Sequence, residues 1–223
     1  MITILAASEC AWRFGRILAR FLPAKQLLTN QAFRNLYRAG TVEADQRLKV
    51  ARLTFLFTDL KGSTELYERV GDLVAYDMVR AHFGVLKGIV AAEAGAVVKT
   101  FGDAVMAAFP SPDRGLAAAL SMREAMRRLS EKMGREDLLL KIGMHEGPCL
   151  AVTLDDRLDY FGQTVNIAAR VQGLAMSHSI LATEPVVKHA LAAQLLGERG
   201  LKASPQRHSL RGIANEITVY EIL

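Results

Sequence analysis

The sequence predicts an α+β fold with a ferredoxin-like, split βαβ core, and three observations lead to it. Residues 53–58 are almost wholly β-branched, aromatic or aliphatic, which is typical of a strand buried on both faces of a sheet. Two short strand-like runs meet around Gly102-Asp103, and a long helical pattern lies on each side of this pair. The resulting order β, α, β, β, α, β is that of the split βαβ arrangement.

Length and composition indicate one domain of ordinary size plus an appendage, since the 223 residues are 51% hydrophobic. We expect a helical extension and linker, regulatory or dimerising in role, in residues 1–48 and the main domain in residues 49–223. Cys10 and Cys149 have no metal-ligand spacing, so neither a disulfide framework nor a zinc site is indicated, and a cytoplasmic location fits best. No apolar run approaches the roughly 20 residues of a membrane span, and the start lacks the basic opening of a secretory signal.

The positive charge is concentrated at the start of the chain. Residues 1–50 hold eight Lys and Arg against three acids, and the remainder holds 20 of each sign. The main domain is therefore neutral and has no basic patch interleaved with aromatic residues. We expect no nucleic-acid partner.

The extension contains a basic amphipathic pattern. Residues 2–22 indicate a helix that Pro23 ends, and three arginines lie along one face of it: Arg13, Arg16 and Arg20. Such a helix either lies on a membrane surface or a partner protein, or packs on this protein or on a second copy, and we favour the last two. Residues 26–40 indicate a second short helix and residues 41–49 a linker. The abrupt start also allows that the chain is the end of a longer protein.

The other elements follow from apolar spacing and from glycine and proline. Helices are expected at residues 63–70, 73–93, 115–133, 162–174 and 184–195. In the second of these, six large apolar residues recur at helical spacing and are expected to face the sheet: Leu73, Tyr76, Val79, Phe83, Leu86 and Ile89. Further strands are expected at residues 96–101, 104–109, 138–145, 149–154, 179–182, 208–211 and 217–222, with Gly147-Pro148 as the turn between the fourth and fifth expected strands.

The end of the first strand is the first candidate site. In the split βαβ topology the first and third strands are antiparallel neighbours, so Asp59 is expected beside Asp103. Gly62, Ser63 and Thr64 follow at the start of a helix, whose free N–H groups favour an anion. Carboxylates beside such a loop suggest a divalent metal carrying a polyphosphate. The alternative is that Asp59 and Ser63 only cap a turn and a helix.

Four motifs together resemble one family. They are Phe57-Thr-Asp59 with Gly62-Ser-Thr64, Lys99-Thr-Phe-Gly-Asp103-Ala-Val-Met-Ala, Asp159-Tyr-Phe-Gly-Gln-Thr-Val-Asn166-Ile-Ala-Ala-Arg170, and Leu210-Arg211-Gly212. In their order and spacing they resemble the class III nucleotidyl cyclase catalytic domain, from about residue 53 to the C-terminus. The Leu-Phe-Thr-Asp-Leu-Lys-Gly-Ser-Thr form is similar to bacterial adenylate cyclases in which this domain follows a regulatory region.

The resemblance implies a metal-assisted reaction. Asp59 and Asp103 match the family's pair that holds two Mg²⁺ or Mn²⁺ ions against a triphosphate. The ribose 3′-hydroxyl would attack the α-phosphorus and expel pyrophosphate, with Gly62, Ser63 and Thr64 offering backbone donors to the phosphates. No protein base is nominated, because His145 is better explained as a strand residue with a satisfied hydrogen bond.

Lys99 and Asp159 match the pair that reads the base. Lysine only donates and an ionised aspartate only accepts, which fits the acceptor at N1 and the donor at the exocyclic amine of adenine. Guanine presents the opposite pattern, so GTP is disfavoured. Cytosine shares the order of adenine, so only the size of the pocket excludes CTP. The alternative is a solvated strand charge for Lys99 and a turn residue for Asp159.

Asn166 and Arg170 lie four residues apart and hence on one face of a helix. They match the family's transition-state pair, in which Asn166 orients the ribose and Arg170 meets charge on the transferring phosphoryl group. Arg211 stands where the family commonly has a phosphate-binding lysine, and this departure leaves its contact open.

The resemblance also implies a homodimer. In the family, the metal aspartates of one subunit face the partner's counterparts of Lys99, Asp159, Asn166 and Arg170. We therefore expect an adenylate cyclase that converts ATP to 3′,5′-cyclic AMP and serves signal transduction. Two alternatives stay open: a cyclase for another nucleotide, either a pyrimidine or GTP, and a non-catalytic nucleotide-binding regulatory module.

Overall fold

The computed structural model describes residues 24–36, 47–61, 68–132, 139–154, 157–176 and 178–223. Among them lie the helices α1 (Ala24–Leu28), α2 (Gln31–Leu36), α3 (Asp72–Ala92), α4 (Pro112–Lys132), α5 (Gln163–Leu174), α6 (Glu184–Val187) and α7 (Ala190–Glu198). The strands are β1 (Leu48–Lys61), β2 (Ala96–Phe101), β3 (Ala104–Phe109), β4 (Leu139–Leu154), β5 (Arg157–Phe161), β6 (Ile180–Thr183), β7 (Ala203–His208) and β8 (Ile217–Ile222). The helix expected over residues 2–22 lies outside the described residues, as does most of the one expected over residues 63–70.

The described strands form one sheet in the order β2-β3-β1-β4-β6-β8-β7, with β5 paired to β4 outside this path. Strand β1 is antiparallel to β3 on one side and to β4 on the other. Helix α3 connects β1 to β2, and α4 connects β3 to β4. These six elements are the split βαβ core, so the predicted α+β fold class is confirmed.

Strand β1 is buried on both faces, as its composition predicted. Leu56 and Leu60 pack with α3 and α4 in one hydrophobic core. Phe55 and Phe57 point to the opposite face, where they pack with Tyr160 of β5 and with α5. Because side chains alternate along a strand, Asp59 shares the face of Phe57, on which α5 lies.

Helix α5 approaches this second face very closely at Gly143 of β4. A Cβ atom at Gly143 would lie 2.0 Å from the backbone nitrogen of Gln172. No side chain fits in that gap. The contact fixes the height of α5 above the strands.

A stability prediction follows from this contact. Gly143→Ala is expected to lower the free energy of unfolding by about 1–3 kcal/mol, because α5 must move away from the sheet. Gly173→Ala is the matched control, since a Cβ there meets nothing within 4 Å and alanine is the better helix former by up to about 1 kcal/mol. Thermal unfolding of the two variants checks this, and equal melting temperatures would contradict it.

The expectation of two strands joined by a turn at Gly147-Pro148 was wrong, because β4 runs unbroken through both residues. Pro148 has no N–H to donate to a neighbouring strand. Opposite it, the β1–β4 register shifts between Val50 and Leu53, so β1 bulges where the donor is missing. The bulge allows the ladder to continue on both sides.

Other boundaries also differ from the sequence-based expectation. Strand β5 was not predicted and pairs with the last residues of β4. The strand expected over residues 208–211 lies instead at Ala203–His208, where Pro205 is tolerated because β7 is an edge strand of the sheet. The single helix expected over residues 184–195 is divided into α6 and α7. Helix α4 begins earlier than expected, with Pro112 in its first turn.

The apolar stripe assigned to α3 was correct only in part. Val79 and Leu86 are buried, but Leu73 and Tyr76 are 83% and 63% exposed. The face on the core includes Ala75 and His82 instead. A small residue and a histidine complete the buried face, and hydrophobicity alone does not reveal them.

The short helix expected over residues 26–40 forms as two, α1 and α2. Asn30 separates them, and its side-chain oxygen accepts a hydrogen bond of 2.9 Å from the backbone N–H of Phe33, as a helix N-cap does. In the described parts of the chain, no helix combines the length and apolarity that crossing a membrane requires.

Candidate functional site

Asp59 and Asp103 converge where β1 ends and β3 begins. The last residue pair of the β1–β3 ladder is Thr58 with Val105. Asp59 follows Thr58 directly and Asp103 lies two residues before Val105, so the two aspartates lie at the same end of this ladder. The backbone N–H of Leu60 donates to Oδ2 of Asp103 over 3.2 Å. Two carboxylates that are distant in sequence therefore share one end of the sheet.

The electrostatics of Asp59 reflect this proximity. Burial raises the pKa of Asp59 above its ordinary value, and the charge of Asp103 raises it further. Lys141, its register partner on β4, and a hydrogen bond from the side chain of Gln172 act in the opposite direction. The net direction is upward, so the charged form of Asp59 is disfavoured in the chain alone.

Helix α3 contacts the turn that carries Asp103. Gly102 has a φ of +58° at this turn, which glycine adopts without strain. His82, 0% exposed, has its Nε2 atom 3.3 Å from the backbone carbonyl of Asp103. A carbonyl only accepts, so Nε2 carries the proton, and burial lowers the pKa of His82 to about 4. The Thr58 hydroxyl accepts the N–H of Val105 over 3.2 Å on the other side.

Lys99 and Asp159 form an ion pair across the space between β2 and β5, with Nζ and Oδ2 2.5 Å apart. The lysine side chain is 38% exposed and the aspartate 13%. The second carboxylate oxygen of Asp159 accepts the backbone N–H of Tyr160 over 2.8 Å. The Lys99 ammonium also lies 5.3 Å from the ring centre of Phe101. The two residues that the motifs single out for base recognition are thus in direct contact.

Helix α5 carries Asn166 and Arg170. Asn166 is exposed and Arg170 half-buried. A Cβ at Gly212 would lie 3.5 Å from a guanidinium nitrogen of Arg170, so the turn that contains the exposed Arg211 contacts Arg170. Gln172, two positions on, bonds to Asp59. Since residues two apart are about 200° apart around a helix, Arg170 points away from the Asp59 of its own chain.

Gly62, Ser63 and Thr64 lie outside the described residues. The supporting residues His82, Lys141 and Gln172 were not identified from the sequence. None of them belongs to a local motif, and each reaches the site only through the packing of α3, β4 or α5 against β1 and the β2–β3 turn. A tertiary contact map was the only signal that would have found them.

His145 lies away from the carboxylates, since its register partner on β1 is Phe55, four residues before Asp59. Its Nδ1 atom is 2.6 Å from the hydroxyl oxygen of Thr183. Burial lowers the pKa of His145 to about 4. The residue is a half-buried strand histidine with a hydrogen-bond partner.

This burial predicts acid sensitivity. An unfolded histidine has a pKa of about 6.5. At pH values between this pKa and the lower pKa in the folded chain, the unfolded chain binds more protons than the folded one. The free energy of unfolding therefore falls as the pH falls from about 6.5 to about 4. His145→Gln should reduce the drop in melting temperature between neutral and acid pH, whereas His208→Gln on the edge strand should not. Equal drops in the two variants would contradict this.

Two open cavities of about 560 and 530 Å³ lie along α4. Neither is lined by Asp59, Asp103, Lys99 or Asp159. In one chain, the candidate residues therefore lie outside both of these cavities.

Comparison with known proteins gives a consistent family. The profile described as "Adenylate and Guanylate cyclase catalytic domain" matches residues 46–220. The chain is 32% identical over 163 residues to an adenylate cyclase of Streptomyces coelicolor. The aligned region covers 72% of this chain and 38% of that protein. It is 28% identical over 205 residues to adenylate cyclase 2 of Rhizobium meliloti, covering 83% and 55%. The chain thus spans about half or less of the length of these curated relatives.

Solved structures share the fold. The adenylyl cyclase CyaB from P. aeruginosa superposes with a TM-score of 0.67 at 21% identity, over 80% of this chain and 96% of that one. The guanylate cyclase domain of RhGC from Catenaria anguillulae, solved with GTP, gives 0.68 at 19% identity, over 79% and 98%. Both substrate classes occur among these neighbours, so the fold alone does not choose between them.

Proposed function

The chain belongs to the adenylate and guanylate cyclase catalytic domain family, and from that premise we propose that it converts ATP to 3′,5′-cyclic AMP and pyrophosphate. The reaction takes place at the interface of a homodimer and depends on two Mg²⁺ or Mn²⁺ ions. The observation that carries the proposal is the convergence of Asp59 and Asp103 at one end of the sheet.

The two aspartates fit divalent cations. Burial raises the pKa of Asp59 and the charge of Asp103 raises it further, and a bound cation would offset both effects. In the described parts of the chain no group of three or more His, Cys, Asp and Glu residues is arranged to hold a metal. One or two carboxylates completed by phosphate and water are a usual environment of Mg²⁺. When bound, the ions supply charge neutralisation at the phosphates and activation of the attacking hydroxyl.

The Lys99–Asp159 pair supports adenine as the base. The lysine donates to N1 of adenine and the aspartate accepts from its exocyclic amine. Without a base, Lys99 and Asp159 bond to each other at 2.5 Å. A base that enters between them breaks this bond and must offer each residue a new partner. Guanine returns neither bond, at a cost of roughly 1–3 kcal/mol for each unpaired group. The competing candidate is CTP, because cytosine presents the same order as adenine.

The orientation of α5 supports a site shared by two copies. Gln172 bonds to the Asp59 of its own chain, and Arg170 points away from it towards Gly212. A second copy is then needed to bring an arginine over each carboxylate pair. Phe101 and Phe161 are 52% and 69% exposed beside Lys99 and the start of α5, and a partner subunit would cover them.

In this arrangement the chain positions the nucleotide and stabilises charge. Asn166 holds the ribose so that its 3′-hydroxyl points in line at the α-phosphorus, and Arg170 meets the charge that develops on that phosphoryl group. Arg211, Gly62, Ser63 and Thr64 bind the phosphates. Positioning and charge neutralisation account for most of the catalysis of phosphoryl transfer, so no separate protein base is assigned.

The test is direct. The protein is incubated with each of ATP, GTP, CTP and UTP plus Mn²⁺, and the products are identified by mass. Cyclic AMP from ATP as the main product supports the proposal, and cyclic CMP would favour the competing candidate. Nucleotide binding without any cyclic product would favour the non-catalytic regulatory module.

Reversal of one charge in the base-reading pair gives a further prediction. Lys99→Glu places a second acceptor where adenine requires a donor, so kcat/KM for ATP should fall about 10–100-fold, which corresponds to roughly 1.4–2.7 kcal/mol. The exposed Lys87→Glu on α3 is the control with the same charge change. Initial rates for ATP and GTP measure the effect, and an ATP rate equal to that of the control would contradict the assignment of Lys99.

A further inference from the structure

Helix α2 bonds to both strands that carry the base-reading pair. Gln31 and Arg34 are three residues apart and share one face of the helix. The side-chain oxygen of Gln31 accepts the backbone N–H of Val97 in β2 over 2.7 Å. A guanidinium nitrogen of Arg34 donates to the backbone carbonyl of Leu158 in β5 over 2.5 Å.

On the β2 side, the bond lies two residues before Lys99. Strand β2 is an edge strand, so its outward N–H groups have no neighbouring strand to bond to, and the N–H of Val97 is one of these because it donates to Gln31. The β2–β3 register also shifts between Val97 and Lys99. Gln31 therefore holds β2 at the position where the β2–β3 ladder is irregular.

On the β5 side, the bonds bracket Asp159. Arg34 donates to Leu158 and also to the hydroxyl of Tyr160 over 3.3 Å, with its guanidinium 5.4 Å from the tyrosine ring centre. The Tyr160 hydroxyl donates to the carbonyl of Leu28 in α1 over 2.8 Å. The ring is 4% exposed and packs edge-on against Phe55 with 5.2 Å between ring centres.

No ladder in the described part of the chain joins β2 to β5, because β3, β1 and β4 lie between them along the sheet path. No sheet hydrogen bond therefore sets the distance between Lys99 and Asp159 directly. Helix α2 bonds to both strands and spans that gap.

We propose that Gln31 and Arg34 are positioning residues that hold β2 and β5 at the spacing adenine recognition requires. The inference rests on the proposed function. It assigns a role to helix α2, which is part of the extension of residues 1–48: the helix controls the affinity for the base and the choice between bases. We call the bonds of Gln31 and Arg34 to β2 and β5 the brace. The turn of Asp103 has separate supports in Thr58, Leu60 and His82, so loss of the brace should leave the metal-dependent chemistry unchanged.

The test compares Arg34→Met with Lys25→Met. Both remove one positive charge and keep an aliphatic side chain, but Lys25 lies in α1, and among the described residues its side chain makes no hydrogen bond or ion pair with β2 or β5. For Arg34→Met we expect KM for ATP to rise roughly ten-fold, kcat to stay within about two-fold, and the ATP-over-GTP preference to fall. Arg34→Lys, which keeps a donor, should recover part of the affinity.

A binding measurement separates this inference from the proposed function. Calorimetric titration with 3′-deoxy-ATP, which lacks the attacking hydroxyl, reports base recognition without turnover, and Arg34→Met should bind roughly ten-fold more weakly than the unaltered chain. Absence of cyclic product from the unaltered chain would refute the cyclase alone. Equal binding by Arg34→Met and Lys25→Met, or a loss confined to kcat, overturns the brace. If Arg34→Met does not fold, Gln31→Leu carries the same expectations.

Discussion

Asp103→Asn is expected to reduce cyclic AMP formation by at least about 1,000-fold, because a metal-bearing carboxylate contributes several kcal/mol to transition-state stabilisation. Asparagine keeps an oxygen that can accept the N–H of Leu60, so the turn should remain folded. The alanine variant should also be inactive but leaves that N–H without its acceptor. Product formation with Mn²⁺ and Mn²⁺ binding in the presence of 3′-deoxy-ATP should be lost together.

The control is Asp77→Asn, which removes an exposed carboxylate from α3. It should retain both activity and Mn²⁺ binding. Size-exclusion chromatography and thermal unfolding should give the same results for the two variants. Normal turnover by Asp103→Asn would remove the metal pair from the proposal.

Mixing two inactive variants is expected to restore activity. In an Asp103→Asn chain paired with an Arg170→Ala chain, one centre combines the intact aspartates of the second chain with the intact arginine of the first. Random pairing makes about half of the dimers mixed, each with one of two centres working, so about one quarter of the normal rate should return.

The matched control mixes Asp103→Asn with Asp59→Asn. Both substitutions affect the same half of a centre, so no mixed dimer contains an intact aspartate pair and no activity should return. Recovery in this control, or none in the first mixture although the chains associate, would exclude a centre built from two copies.

Sequence patterns predicted the core elements whose signal is local. Strand β1 was found because both of its faces are buried, which leaves an almost continuous apolar run. The β2–β3 hairpin was found with its observed boundaries because two apolar runs meet at a Gly-Asp turn. Strand β4 was wrongly divided because Pro148 is a strand breaker in most settings, and the bulge that accommodates it belongs to the partner strand β1.

The candidate site divides in the same way. Motif spacing singled out Asp59, Asp103, Lys99 and Asp159, and strand topology was enough to expect the first two side by side. The residues that support them could not be predicted. His82, Gln172 and Arg34 are ordinary helix residues in the sequence, and only the packing of α3, α5 and α2 on the sheet brings them to the site.

The hairpin of β2 and β3 carries Lys99 on one strand and Asp103 at its tip, four residues away. If these two residues serve opposite centres of a dimer, any shift of Lys99 on base binding would pass along the same short hairpin to the aspartate that would hold the cations of the neighbouring centre. Filling the first centre would then alter the affinity of the second. Substrate saturation curves would depart from a simple hyperbola, and the enzyme would act as a coupled pair instead of two independent catalysts.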